Sequence, residues 1–201
     1  MKILIAVPCM SMLPVEYVNS LLKLEHEGQC DIVHLPNSLI YTARDQLSVM
    51  SVRENYDYLL FIDSDMVVPP DSIKRLLNHK KDIVCGLYFK RKQNYEPVIY
   101  SKLKFSLLDE PTIEPAMDYK NGLIEIEGCG MGLCLIKTEV FKSILQYDYS
   151  CFEPLPHLGE DFAFCIRARN RGYKIYCDTT LKCGHVGTAI IEEKCLKGAD
   201  K

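Results

Sequence analysis

The chain contains no tryptophan. It also has no apolar run near the ~18 residues needed to cross a bilayer, so no membrane-spanning helix is expected. Ten cysteines are present, but no Cys-x-x-Cys pair, which argues against a zinc ribbon. At 201 residues the chain is too long, and too rich in core, for a disulfide-stapled mini-scaffold. There is no basic excess: Lys and Arg number 24 against 27 Asp and Glu, a net charge of −3. A chain-wide footprint for nucleic acid is therefore absent, and tight duplex binding is disfavoured. No GxxxxGK[ST] loop and no GxSxG elbow occur. Gly128, Gly130 and Gly132 do not make a dinucleotide fingerprint, because the sixth position is Leu133 and an apolar strand follows instead of a helix.

What is present is a composition of 48% hydrophobic and 25% charged residues, suited to one sizeable α/β domain. Most cysteines sit in apolar stretches such as Ile83-Val84-Cys85 and Leu133-Cys134-Leu135. They read as small buried hydrophobes in a reducing cytoplasm. Lys2 to Pro8 carries one positive charge and stops at a proline after five apolar residues. That suits a buried first strand better than a signal peptide.

Strand-like and helix-like segments alternate over the first ninety residues. Ile3–Val7 is a strand covered on both faces. Pro14 opens a helix carrying Val15, Val18, Leu21 and Leu22, closed by Gly28. Cys30–Leu35 is a second strand, and Leu39, Ala43, Leu47 and Met50 recur at helical spacing up to Arg53. Tyr58–Ile62 is a buried strand, Pro69, Pro70 and Asp71 start a third helix, and Ile83–Cys85 is a further strand. This order predicts a mostly parallel sheet with helices on both faces, which binds ligands at the carboxyl ends of its strands. Beyond it, strands are expected at 98–100, 123–127, 133–136 and 174–176. The polar stretch 101–121 reads as a long loop. Thr138 is a candidate helix cap, and a last helix runs from Glu160 to Arg171 before Gly172. The polar tail from Glu192 to Lys201 is expected to fray.

Asp63-Ser64-Asp65 is the sharpest chemical signal, directly after a buried strand. Carboxylates there are costly unless they meet water, a cation or donors. Residues two apart in an extended chain point the same way, ~6.6 Å between Cα atoms. One carboxylate can then hold a divalent cation while the other reaches a neighbouring group, or the pair is simply a solvated turn.

Tyr58–Asp65 resembles the DxD segment of GT-A-fold glycosyltransferases of the family 2-like group, in the small single-domain form also found in phages and other viruses. The likeness runs along nearly the whole chain. Ala6-Val7-Pro8 is similar to the first strand and donor loop. Tyr41–Asp45 is similar to the segment whose arginine lies near the nucleotide. The glycine-rich run 128–136 resembles the acceptor-side segment. Gly159–Cys165 resembles the ED motif, and Lys182–Gly187 the histidine segment that can supply a metal ligand.

The resemblance implies one catalytic domain over 1–190, with a nucleotide-sugar half at 1–95, an acceptor-side half at 96–190 and a tail at 191–201. It implies a metal-dependent transfer of a sugar from a nucleotide-diphosphate donor, UDP-linked favoured, to a hydroxyl on a glycan or a modified nucleic-acid base. Ala6, Pro8, Arg44, Asp63, Ser64 and Asp65 would bind the donor. Asp65 and His185 would ligate Mn²⁺ (Mg²⁺ is the alternative), with Asp63 on the ribose or the metal's water shell. Mixed carboxylate and imidazole ligation favours Mn²⁺. Asp161 would be the base of an inverting displacement, and Glu160, Gly128, Lys90 and Arg91 substrate contacts.

Each residue also has a plainer role open to it. Arg44 is a charge on a polar helix face, and Lys90 and Arg91 belong to a solvated charge run. Glu160 and Asp161 suit a helix N-terminus, His185 bonds to backbone, and the glycines mark sheet bends. Two other functions share such a core. A sugar nucleotidyltransferase usually carries a glycine- and basic-rich loop after the first strand, which Pro8–Met12 lacks. A non-catalytic sugar- or nucleic-acid-binding module would have no need of Asp63, Asp65, Asp161 and His185.

Overall fold

The structure is a computed structural model, and it describes residues 1–91, 95–187 and 190–191. The expected tail from Glu192 to Lys201 lies outside the described residues, as does Lys92.

Alternation in the first half is as the sequence pattern predicts. β1 (Lys2–Cys9), α1 (Val15–Leu22), β2 (Gln29–Pro36), α2 (Ile40–Arg53) and β3 (Tyr58–Ile62) follow in order. After a tight turn come β4 (Met66–Val67), α3 (Ser72–Asn78) and β5 (Ile83–Leu87). The second half supplies β6 (Ile99–Lys104), β7 (Thr112–Pro115), β8 (Leu123–Ile126), β9 (Gly128–Cys129) and β10 (Leu133–Lys137). It ends with α4 (Thr138–Leu145), α5 (Glu160–Asn170), β11 (Ile175–Lys182), β12 (Gly184–Val186) and β13 (Ile190–Ile191).

Seven strands form the central sheet in the order β2-β1-β3-β10-β5-β11-β8. β2, β1, β3, β5 and β11 run one way, while β10 and β8 run against them. The sheet is thus mostly parallel, and β10 from the second half is threaded between β3 and β5 from the first. Side chains alternate between two cores. Leu4, Ala6, Leu59 and Phe61 pack with Leu47 of α2, Val140 and Phe141 of α4 and Phe164 of α5. Ile3, Ile5, Val7, Leu60 and Ile62 pack with Tyr17 of α1 and Ile73 and Leu76 of α3. Covering both faces is what makes β1, β3 and β5 unbroken apolar runs.

Four local expectations are corrected. α1 ends at Leu22, well before Gly28. Gly28 instead turns the chain into β2 with φ +74, where a Cβ would lie 2.7 Å from the Met1 carbonyl oxygen. Thr138 is the first residue of α4, not its cap, and its hydroxyl makes no hydrogen bond. The stretch 101–121 is largely a hairpin, with Leu103 opposite Ile113 and Lys104 opposite Thr112. The segment expected at 174–176 extends to Lys182, through a register shift after Asp178.

Among the described residues no helix is long and apolar enough to cross a membrane. Cys85, Cys129, Cys134, Cys151, Cys165, Cys177 and Cys183 are buried, Cys9 and Cys30 are half-buried, and all nine are free thiols.

Candidate active site

The parallel strands β1, β3, β5 and β11 all deliver their carboxyl ends to one edge of the sheet. β10, running the other way, brings its amino end there, where Asp63 N donates to Gly132 O at 3.1 Å. Asp63, Ser64 and Asp65 form the turn out of β3, closed by Met66 N donating to Asp63 O at 3.0 Å. A cleft of about 700 Å³ opens beside them, lined by residues 8–10 at the end of β1, 37–40 leading into α2 and 63–65 after β3.

β12 pairs antiparallel with β4, His185 opposite Met66, and Val186 N donates to Asp65 O at 2.7 Å. This register brings the His185 imidazole to Asp65, with 3.5 Å between Nε2 and Oδ2. His185 Nδ1 lies 2.8 Å from Phe89 O. A carbonyl oxygen can only accept, so Nδ1 carries a hydrogen and the ring is oriented by it. Nε2 and the carboxylate oxygen then face one another, an arrangement that needs a proton or a cation between them. Arg91 Nη1 reaches the same Oδ2 at 3.0 Å. Burial works to raise the Asp65 carboxyl. The hydrogen bond to His185 and the charges of His185 and Arg91 outweigh it, so the group stays below its ordinary value.

Beside this pair lies a second carboxylate cluster built on a buried cation. Arg44, on α2, is only 2% exposed. Its Nη2 donates to Asp63 Oδ2 at 3.3 Å and lies 3.1 Å from Oδ1. Its Nε stands 3.4 Å from Asp161 Oδ1 and 3.6 Å from Glu160 Oε1, both from the first turn of α5. The guanidinium carbon sits 5.3 Å from the centre of the Phe61 ring. Even so, Arg44 Nε and Nη1, Asp63 Oδ1 and Asp161 Oδ1 lack a hydrogen bond with good geometry. Asp161 Oδ2 accepts a bond from Met131 N at 3.3 Å. Burial first, then the neighbouring Glu160 and Asp63, push the Asp161 carboxyl up to about 7 against the pull of Arg44. Burial likewise raises Asp63.

Tyr88, which sequence reasoning missed, fills the space between the clusters. Its hydroxyl accepts from Gly132 N at 3.2 Å, and its ring meets the His185 ring edge-on at 5.5 Å. Burial and the nearby Asp161 and Asp63 keep that hydroxyl protonated, well above its ordinary value. A Cβ on Gly132 would lie 2.8 Å from Tyr88 Cζ, so this glycine makes room for the ring. Tyr88 directly follows β5, and the rule that ligands gather at strand carboxyl ends could have flagged it.

The structure thus sorts the expected site residues. Pro8, Asp63, Ser64 and Asp65 line the cleft. Ala6 does not, being wholly buried in the core. Arg44 is buried, with Asp63, Glu160 and Asp161 around it. Gly128 pairs with Tyr100, and a Cβ there would meet Leu103 at 2.7 Å, so close packing explains it. Lys90 is held by Glu96 at 2.8 Å. Arg91 is at the site, on Asp65 itself.

Asp63 is turned onto Arg44 and does not join Asp65 and His185. Among the described residues no group of three or more His, Cys, Asp or Glu is arranged to hold a metal. What remains is a two-residue cradle, Asp65 and His185. It fits a divalent ion that keeps most of its positions for substrate or water oxygens. Asp65 is balanced by Arg91, whereas Asp63, Glu160 and Asp161 share Arg44 alone, so the surplus of negative charge lies in the Arg44 cluster, where Asp63 and Asp161 are pushed towards protonation.

No family model matches the chain, and no curated protein sequence does. Among solved structures, A197 from STIV, a viral protein, is similar in fold. The TM-score is 0.66 at 22% identity, over 93% of this chain and 86% of that one. At that identity the likeness shows the fold and leaves activity to be argued from the site.

Proposed function

We propose that the protein is a metal-dependent glycosyltransferase, moving a sugar from a nucleotide-diphosphate donor to an acceptor hydroxyl with inversion. One observation carries this: Asp65, facing His185, lies two residues from Asp63, which Arg44 ties to Asp161, and the protonation of Asp65 and Asp161 is pushed in opposite directions. Asp65 is kept ionised opposite His185, and Asp161 is poised near 7. Such divergence divides charge-binding from proton-moving work.

The cleft beside residues 63–65 accommodates the nucleoside, and Asp65 and His185 hold a divalent ion, Mn²⁺ favoured. When bound, that ion neutralises the charge growing on the leaving diphosphate. The acceptor oxygen attacks the anomeric carbon as the bond from that carbon to the diphosphate oxygen breaks. The leaving group keeps the bonding pair, and Asp161 takes the acceptor's proton. A base near 7 is part ionised at neutral pH and still strong enough to accept it. Arg44 is a positioning residue, holding Asp63, Glu160 and Asp161 together from beneath. Glycans and modified nucleic-acid bases are the acceptor classes that offer such a hydroxyl.

The test is a panel of nucleotide sugars with Mn²⁺, scored by released nucleoside diphosphate. Release from one donor, abolished by EDTA, is expected. Release from none overturns the proposal.

A further inference from the structure

Arg91 is the cation on Asp65 in this structure, and its arrangement is specific. Its Nη1 lies 3.0 Å from Asp65 Oδ2 and also donates to Val186 O at 3.0 Å. His185 Nε2 faces the same Oδ2 at 3.5 Å. One carboxylate oxygen therefore serves both the guanidinium and the imidazole. A divalent ion taken up by Asp65 and His185 needs that oxygen, and two like-charged cations cannot share it cheaply. Lys90, the neighbouring cation, is already committed to Glu96 at 2.8 Å, so competition falls on Arg91. Its side chain is 48% exposed, and an ion pair open to solvent is held weakly enough to exchange.

Once off Asp65, the guanidinium remains within a side chain's length of the cleft wall formed by residues 63–65. Its planar fork of donors suits a diphosphate, which it can grip through two hydrogen bonds at once. Building on the glycosyltransferase assignment above, we infer that Arg91 is a resident counter-cation for Asp65 that exchanges onto the donor diphosphate when a divalent ion enters. The exchange links the two binding events. Arg91 opposes the ion when it arrives alone and supports it when the nucleotide comes too. The free site is thereby kept from gathering cations without substrate.

Calorimetry on the intact protein tests this with two probes, Mn²⁺ alone and then UDP at saturating Mn²⁺. Arg91→Gln should bind Mn²⁺ about 3–10-fold more tightly than wild type, because an opposing charge and a competing bond are gone. The same variant should bind UDP about 10-fold or more weakly, the scale of a lost charge-assisted hydrogen bond. Arg91→Lys keeps the charge and should stay near wild type for Mn²⁺ while recovering part of the UDP affinity. A residue that only supports the fold would shift both affinities in the same direction. Unchanged or weaker Mn²⁺ binding in Arg91→Gln overturns the inference, as does unchanged UDP binding. If neither wild type nor variant binds Mn²⁺, the metal assignment falls and takes this inference with it.

Discussion

Asp161 and Asp178 are both drawn into the protein, and their surroundings treat them in opposite ways. Asp178, on β11, has every lone pair answered. Its Oδ1 accepts from Thr180 N at 2.9 Å, Thr180 Oγ1 at 2.6 Å and Leu181 N at 3.2 Å. Its Oδ2 faces Arg75 Nη2 of α3 at 3.2 Å and, at 3.0 Å, Nε2 of His79, the residue that caps α3. Burial works against ionisation, but the bonds from Thr180 and His79 and the charge of Arg75 hold the carboxyl down at about 2. Asp161, half-buried, lies against one shared guanidinium, beside two other acids, with its buried Oδ1 lacking a hydrogen bond. Its carboxyl rises to about 7. The first arrangement fastens α3 to the sheet. The second leaves a half-buried acid with one oxygen lacking a hydrogen bond, the kind of environment that shifts a carboxyl's protonation.

Swapping each acid for its amide is the sharpest way to break this contrast. Asp161→Asn cannot accept a proton, so turnover should fall by ~10²–10⁴-fold, while Mn²⁺ and UDP binding survive in calorimetry. Asp178→Asn should leave turnover at 25 °C near wild type and instead lower stability by about 3 kcal/mol, the cost of breaking a buried ion pair. For a chain of this size that is a fall in Tm of roughly 6–12 °C. Gly132→Ala should cost less, about 1–3 kcal/mol, because the new Cβ presses on Tyr88 without removing a charge. Denaturant melts should rank it between Asp178→Asn and wild type.

The smallest effect concerns pH. Asp161 has a folded-state value raised from 3.8 to about 7. Its favourable share of stability is therefore complete below about 4 and lost as pH rises through about 7. Thermal melts should show Asp161→Asn gaining on wild type by a few degrees at pH 8, with no gain at pH 4. Asp178 has a lowered value, so its share is present above about 4 and lost as pH falls through about 2. Its variant should be relatively worst at neutral pH.

The sequence exposes these two regions unequally. β3 has the bounds its apolar run predicts, and the doubly covered sheet follows from such runs. The direction of β10 is hidden, because a strand buried on both faces looks the same whichever way it runs. The hairpin of β6 and β7 is hidden too, because Ser101 and Lys104 of β6 and Glu114 of β7 are polar and exposed, and the run carries too few apolar residues to show a strand period. At the site, Asp63, Asp65, Asp161 and His185 stand out by resemblance to a known pattern. The geometry behind their behaviour does not. Arg44 looks like a surface charge on a helix, and its partners lie 19 residues away at Asp63 and, farther along the chain, at the start of α5. Asp178 carries no motif at all, and its partners, on α3 and at its C-cap, lie 103 and 99 residues away. Only folding brings these groups together.

The most direct measurement is the pH dependence of nucleoside diphosphate release, with the donor selected from the panel and saturating Mn²⁺, for wild type and Asp161→Asn. The account predicts a wild-type rate that rises tenfold per pH unit to a plateau above about 7, and a variant that is slow and flat across the same range. A variant as fast as wild type, or one with the same rising limb, would contradict the assignment of Asp161 as the base.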